Sequence, residues 1–494
     1  MKTLVKNFIG GKWVGAHAGR TFDSRDPATG EVVGRCADSG PEDIDNAVKA
    51  AAAAFEGWRR MPAPRRGEIL FRVAERLLRD KETLARTVTR EMGKVLAEGK
   101  GDVQEAIDMA YYMAAEGRRQ FGQVMPSELP DKSAQCVREP VGVVGLITPW
   151  NFPIAIPSWK TFPALILGNT VVLKPSPETP VTAALFVKVL EDCGVPAGVV
   201  NLVLGRGPEL GEALVRHPNV TLISFTGSTA TGGKVAVEAA SRHKRVALEM
   251  GGKNAIVVME DADLELAVDG ITWSAFGTTG QRCTACSRLL VHKDVKERLS
   301  RMLLNRMGKL CVGNGLKPGI DIGPLVNHAQ LEKVQQYIQV GQQEGARLVT
   351  GGKVFSGGEY ARGYFFPPTL FDHVRPTMRI AREEIFGPVL SMIEVKDLDE
   401  AVAINNDVEY GLSTAVYTRD INRAQRAIRD IRTALVYINA GTIGSEVHLP
   451  FGGMRRTGNG HREAGQATLD TFSEWKTIYV DYSGRLQRAQ IDKE

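Results

Sequence analysis

Apolar and polar positions follow two regimes along the chain. Up to Val33, short alternating stretches are broken by Gly10-Gly11 and by Asp26-Pro27-Ala28-Thr29-Gly30, which predicts brief strands joined by turns. From Pro41 the spacing becomes helical. Pro41-Glu42-Asp43 opens a helix that reaches Trp58, and Ile69, Leu70, Val73 and Leu77 share one face of a second helix between Ala63 and Arg79. Further helices are predicted over Leu84–Met92 and Val103–Gln120.

Beyond Cys136, wholly apolar runs alternate with helical patterns. Strands are predicted at Val141–Ile147, Thr170–Leu173, Val199–Val203, Leu222–Phe225 and Val246–Leu248. Helices fall between them at Trp159–Leu167, Val181–Cys193, Glu209–Arg216 and Ala230–Ala240. Apolar strands separated by helices specify a parallel sheet covered on both faces, and right-handed crossovers make it a doubly wound, Rossmann-type α/β unit. A second series starts at Asn254–Val258 and runs through helices Leu264–Phe276 and Val295–Arg306 and strands near Leu289–Val291 and Val389–Ile393 to Val436–Ile438. Glu474–Asp481 alternates like a strand but lies far from both series, so it is expected to pair with another subunit.

Composition narrows the function classes. The 494 residues, 43% apolar and 24% charged, suit a soluble globular protein of two to four domains. No run approaches the ~20 apolar residues of a membrane span. The opening residues lack the apolar core of a signal peptide, which sets the expectation of a cytoplasmic protein. A net charge of +5 without a basic block argues against nucleic acid and is compatible with anionic small molecules. The six cysteines are expected as reduced thiols. Cys283-Thr284-Ala285-Cys286 invites a redox reading, but no second such pair follows and the eight histidines are scattered, so no metal site is expected.

Turn-forming residues cluster at four strand ends of the first series: Thr148-Pro149-Trp150-Asn151, Lys174-Pro175-Ser176-Pro177, Gly205-Arg206-Gly207 and Thr226-Gly227-Ser228. In open α/β sheets the ligand crevice lies there, which points to a nucleotide. Gly227–Lys234 resembles a P-loop, but the lysine comes one residue late and Val235 replaces Ser/Thr. What remains is a Gly-Ser turn at a helix N-terminus, which can hold an anion. Glu249 stands where an apolar strand meets Gly251-Gly252. Cys283 has polar neighbours and an adjacent Arg282, which argue for an accessible, thiolate-prone sulfur.

Taken together, Asn151 in Pro-Trp-Asn-Phe-Pro, Lys174 in Lys-Pro-Ser, Glu249 in Leu-Glu-Met-Gly-Gly-Lys, Cys283 in Gly-Gln-Arg-Cys, Glu384 in Glu-Glu-Ile-Phe-Gly-Pro and Pro450-Phe451-Gly452-Gly453 form an ordered set that resembles the aldehyde dehydrogenase superfamily over nearly the whole chain. The resemblance implies that Cys283 attacks the aldehyde, that Asn151 and the Cys283 N–H hold the oxyanion, and that Glu249 activates water against the thioester. Lys160 and Glu463 match proton-relay positions. Lys174 would bind the adenosine ribose and Glu384 the nicotinamide ribose, with Phe225, Gly227 and Ser228 along the pyrophosphate. Ile147, Thr148, Pro149, Trp150 and Thr226 are further implied contacts of the cofactor, as are Ser176, Glu178, Gly207, Gly211, Met250, Gly251 and Phe386. Relatives that prefer NAD often carry Glu three residues after the lysine. Here Pro177 stands there and Glu178 follows, so NADP is expected alongside NAD.

The same resemblance implies an NAD(P)-binding domain of 1–122 and 142–248, a catalytic domain of 249–440, oligomerisation strands in 123–141 and 470–494, and a return segment of 441–469. The partners expected are a small-molecule aldehyde and further copies of the chain, as homodimer or homotetramer, with no membrane or nucleic acid. Stretches around Pro149–Lys160 and Leu248–Asn254 are similar to α-ketoglutaric semialdehyde dehydrogenases; Gly277–Cys283 and Asp481–Gln490 are closer to α-aminoadipic semialdehyde dehydrogenases. Both substrates carry a carboxylate, and Arg282 admits two roles: bidentate partner of that carboxylate, or a packing residue of the Cys283 loop. The alternatives are broad aldehyde specificity, a P-loop nucleotide hydrolase on Gly227–Lys234, and a catalytically inactive relative.

Overall fold

A computed structural model describes residues 4–120 and 122–491. Its first sheet carries five parallel strands in the order Arg245–Glu249, Val220–Thr226, Val143–Ile147, Thr170–Lys174, Val200–Leu202, extended by the antiparallel pair Asn7–Ile9 and Lys12–Val14. The first of the five in chain order, Val143–Ile147, lies in the middle, so the winding reverses between it and Val220–Thr226. A crevice opens outside the carboxyl ends at such a reversal. The loops leaving it are Thr148–Asn151 and Gly227–Ser228. Every residue of Thr170–Lys174 is buried, as an apolar run covered on both faces requires.

The second sheet runs Arg347–Thr350, Thr369–Asp372, Val389–Val395, Cys286–His292, Asn254–Val258, Ser413–Tyr417, Leu435–Ile438, parallel except at its first pair. It contributes the amino ends of its strands to the centre of the molecule: Cys283 directly precedes Cys286–His292, and Glu384 precedes Val389–Val395. The segment after Leu435–Ile438 returns to the first sheet through the bridge Glu249–Gly458 and folds back on itself through Phe451–Glu463.

Two expectations change. The helices predicted on either side of Asp80-Lys81-Glu82-Thr83 are one helix, Ala63–Met92, because those four residues are helix-compatible; it ends at Gly93 with φ 91°. Glu474–Asp481 does not await another subunit for its pairing. It lies in strand Ser473–Asp481, paired residue for residue with Lys132–Pro140 of its own chain, which in turn pairs with Gln123–Pro126. Strands so far apart in sequence give no local sign of their partnership.

Candidate active site

The helix Leu264–Phe276 ends at Gly277, and the chain then takes three consecutive left-handed residues: Thr278 (φ 52°), Thr279 (φ 59°) and Gly280 (φ 67°). Non-glycine residues in that region cost ~1–3 kcal/mol each and persist where the surroundings hold them. Here Glu98 accepts the Thr278 N–H at 2.7 Å, Thr279 Oγ1 donates to the Gly323 carbonyl at 3.0 Å, and the Gln281 amide accepts the Val326 N–H at 3.0 Å. Asn254 Nδ2 then donates to the Cys283 and Ala285 carbonyls at 2.7 and 2.9 Å. The sulfur is thus presented by a clamped loop. No acceptor within the described chain takes the Cys283 N–H. Asn151 Nδ2 uses one N–H on the Gln281 carbonyl at 3.1 Å and keeps the second for the cavity it shares with Cys283.

Two cavities meet at Cys283. One, of about 670 Å³, is walled by Pro149, Trp150, Asn151, Gly227, Ser228, Gly251, Glu384 and Phe386. The other, of about 630 Å³, is walled by Glu105, Phe152, Trp159, Glu249, Arg282, Phe451 and Glu463. Thr226, Met250, Ile156 and Cys283 belong to both. A third cavity, of about 920 Å³, is lined by Ile147, Lys174, Gly207, Gly211, Phe225 and Lys234. Thr148, Ser176 and Glu178 line none of the three. Thr148 is buried, Ser176 Oγ accepts the Glu178 N–H at 3.3 Å, and the Glu178 carboxylate accepts from Asn327 at 3.0 Å.

The electrostatics differ from the thiolate-prone sulfur expected. Burial pushes the Cys283 thiol up to about 12, with the Glu384 and Glu249 charges adding to the effect. The adjacent Arg282 does not offset this, because Glu98 pairs with its guanidinium at 3.2 Å and its Nε donates to Thr278 Oγ1 at 2.8 Å. A protonated thiol needs a base. Glu249 is buried, its Oε1 has no hydrogen-bond partner among the described residues and its Oε2 accepts the Gly453 N–H at 3.1 Å. Burial, then the Glu463 charge, lifts its carboxyl well above the usual range, and the Lys160 cation opposes this. Lys160 Nζ donates to Ser224 Oγ at 2.8 Å and to Glu463.

The fold recurs in known proteins. The sequence pattern described as "Aldehyde dehydrogenase family" matches residues 13–478. The chain is 43% identical to an alpha-ketoglutaric semialdehyde dehydrogenase of Bacillus subtilis, covering 96% of this chain and 97% of that one. It is 42% identical to an alpha-ketoglutarate semialdehyde dehydrogenase of Haloferax volcanii, over 97% and 99%. The structure is similar to that of betaine aldehyde dehydrogenase from Staphylococcus aureus in complex with NAD+, with a TM-score of 0.95 at 35% identity, covering 98% and 95% of the two chains.

The chain belongs to the aldehyde dehydrogenase family. It is an oxidoreductase that acts on aldehydes. The P-loop alternative fails within this frame, because Gly232, Gly233 and Lys234 lie in helix Thr229–Ala240 and form no loop. Cys286 is a buried member of strand Cys286–His292, its thiol donating to the Arg288 carbonyl at 3.3 Å. In this dehydrogenase Arg282 lies on the wall of the second cavity, stacked toward the Phe152 and Trp273 rings, so it braces the loop and faces the cavity at once. Sequence reasoning missed Glu98, Glu105 and Asn254, and it missed Gln330 and Lys333 beside Glu384. Glu98, Glu105, Gln330 and Lys333 lie in helices, away from the Gly- and Pro-marked strand ends, and Asn254 opens a strand where it reads as an ordinary strand residue.

Proposed function

We propose that the protein oxidises a carboxylate-bearing semialdehyde to the corresponding acid with NAD or NADP, through a thiohemiacetal and then a thioester on Cys283. The observation that carries this reading is the position of Cys283 on the shared wall of two cavities, with Glu249 on one side and Asn151 on the other.

The residues suit a dinucleotide. Lys174 is a buried cation with no ion pair among the described residues, in a cavity where a Cβ on Gly211 would meet nothing nearer than Ile147 at 4.0 Å. Gly227 and Ser228 open helix Thr229–Ala240, whose N-terminus attracts phosphate. Glu384 uses one oxygen on the Gly252 N–H at 3.0 Å and keeps the other for a ribose hydroxyl. When bound, the nicotinamide supplies the hydride acceptor. Pro177 stands three residues beyond Lys174, Glu178 is turned to Asn327 and does not line this cavity, and of the carboxylates that do, Glu212 and Glu238, both pair with Arg216, while Lys174 and Lys234 line it as cations. NADP is therefore accepted beside NAD.

The chain's own residues do the rest. Glu249 takes the thiol proton, and Sγ attacks the aldehyde carbon. The Cys283 N–H and Asn151 hold the oxyanion, each such donor being worth ~2.7–4 kcal/mol. After oxidation Glu249 activates water, and Lys160 and Glu463 pass protons away from it. Arg282 receives the distal carboxylate. The sheet of Gln123–Pro126, Lys132–Pro140 and Ser473–Asp481 exposes Val124, Tyr479 and Val480, an apolar surface suited to a homodimer or homotetramer. All six cysteines are free, which suits the cytoplasm.

The test is an aldehyde panel with each cofactor, followed through absorbance of the reduced dinucleotide. The reading expects the highest kcat/KM with a carboxylate-bearing semialdehyde and no requirement for coenzyme A. Faster turnover of uncharged aldehydes of equal length would overturn the substrate class.

A further inference from the structure

The wall of the aldehyde cavity holds a carboxylate that the mechanism above does not use. Glu105 stands on helix Leu96–Glu116 and lines that cavity together with Arg282, Cys283 and Glu249. Its side chain makes no hydrogen bond or ion pair among the described residues. The two nearest cations are already matched. Arg282 pairs with Glu98 at 3.2 Å, and Lys94 pairs with Asp102 at 3.1 Å while its amine lies 3.8 Å over the Phe152 ring. Asp102 is spent further, accepting the Ala155 N–H at 2.7 Å. Two cations against two carboxylates leave Glu105 without a counter-ion in a partly desolvated wall. A second negative group brought into this cavity by a substrate then meets either a neutral acid or an unscreened charge.

We propose that Glu105 is a proton-linked specificity residue: its neutral carboxyl admits and hydrogen-bonds the distal carboxylate of a semialdehyde beside Arg282, and its ionised form turns that substrate away. This rests on the carboxylate-bearing substrate proposed above. An uncharged aldehyde feels no such switch. The groups facing Glu105 are Asp102 and Asp108 from its own helix, Lys94 just ahead of that helix, Arg282 from the cysteine loop with its partner Glu98, and Glu249, Cys283 and Glu463 across the cavity. Burial raises the Glu105 carboxyl to about 7, Asp102 adds to the rise, and Arg282 and Lys94 oppose it, so the switch falls in the neutral range.

The experiment measures kcat/KM from pH 6 to 9 for succinic semialdehyde and for butanal, which has the same carbon count, and takes their ratio. Titrations of Cys283 and Glu249 act on both aldehydes and largely cancel in it. One proton linked to the charged substrate makes the ratio fall by up to ~10-fold per pH unit above the switch. In Glu105→Gln, which keeps a neutral donor, the ratio should be nearly flat across the range and close to the wild-type acid limit. A flat wild-type ratio, or an unchanged slope in Glu105→Gln, would overturn the assignment while leaving semialdehyde oxidation intact. Oxidation of butanal with no turnover of the semialdehyde at any pH would overturn the substrate reading itself, and this inference with it.

Discussion

The two cavities that meet at Cys283 are built in different ways. The one beside Glu384 is made largely of main chain brought close: Pro149, Gly227 and Gly251 leave strand ends of one sheet, and a Cβ on Gly251 would collide with the Glu384 carboxylate. The one beside Glu249 is made of side chains from segments far apart in the chain, with Glu105 and Trp159 on two helices, Arg282 on the cysteine loop, and Phe451 and Glu463 from the paired return segment. Main-chain geometry serves a constant ligand. Side chains, charged and aromatic, are where a substrate is told from its analogues. Substitutions on the two walls should therefore fail differently, and four of them probe the contrast.

The largest effect belongs to Cys283, which both walls share. Cys283→Ala should abolish aldehyde oxidation while dinucleotide binding, read by fluorescence titration, stays nearly unchanged. Loss of binding in parallel would mean that the two cavities are not separable.

Next is Glu249. Burial pushes the Cys283 thiol up to about 12, so the proposed mechanism uses Glu249 as base for the sulfur as well as for water. Glu249→Gln should lower both the pre-steady-state burst and the turnover, by the roughly 10²–10⁴-fold that a positioned base contributes. In wild-type enzyme both should rise with pH as the raised Glu249 carboxyl loses its proton. Stopped-flow absorbance separates the two phases. A full-speed burst followed by slow turnover would confine Glu249 to hydrolysis.

The next effect is selective. Arg282→Ala should lower kcat/KM for carboxylate-bearing semialdehydes about 10–100-fold more than for uncharged aldehydes, as a charge-assisted hydrogen bond of roughly 1.5–3 kcal/mol implies. Glu98→Gln should cost less and affect both substrate types, because it loosens Arg282 and Thr278 together. Equal losses for both substrate types in Arg282→Ala would leave that residue only its brace.

The contrast also explains what was legible in the sequence. The doubly wound sheet was readable because its strands are continuous apolar runs, and Asn151, Lys174 and Gly227 because they follow those runs directly. The carboxyl-end rule applied to the first sheet only. The second sheet brings Cys283 and Glu384 in from the amino ends of its strands, so those two were found by motif. Arg282 looked like an activator of the sulfur because it is adjacent in the chain. Its charge is taken by Glu98, 184 residues away in sequence, and no local pattern announces that pair. Glu105 was missed for the same reason: on its helix it is one acidic residue among several, and only the folded cavity distinguishes it.

The central claim is that oxidation proceeds through an acyl thioester on Cys283. The direct measurement is peptide-mapping mass spectrometry of Glu249→Gln after incubation at pH 9 with semialdehyde and oxidised dinucleotide, followed by an acid quench. Alkaline pH supplies some thiolate without the base, and a thioester without an activated water persists. The account predicts an adduct of the substrate mass less two hydrogens on the peptide carrying Cys283. An unmodified Cys283 alongside formation of reduced dinucleotide, or the adduct on Cys286 instead, would contradict it.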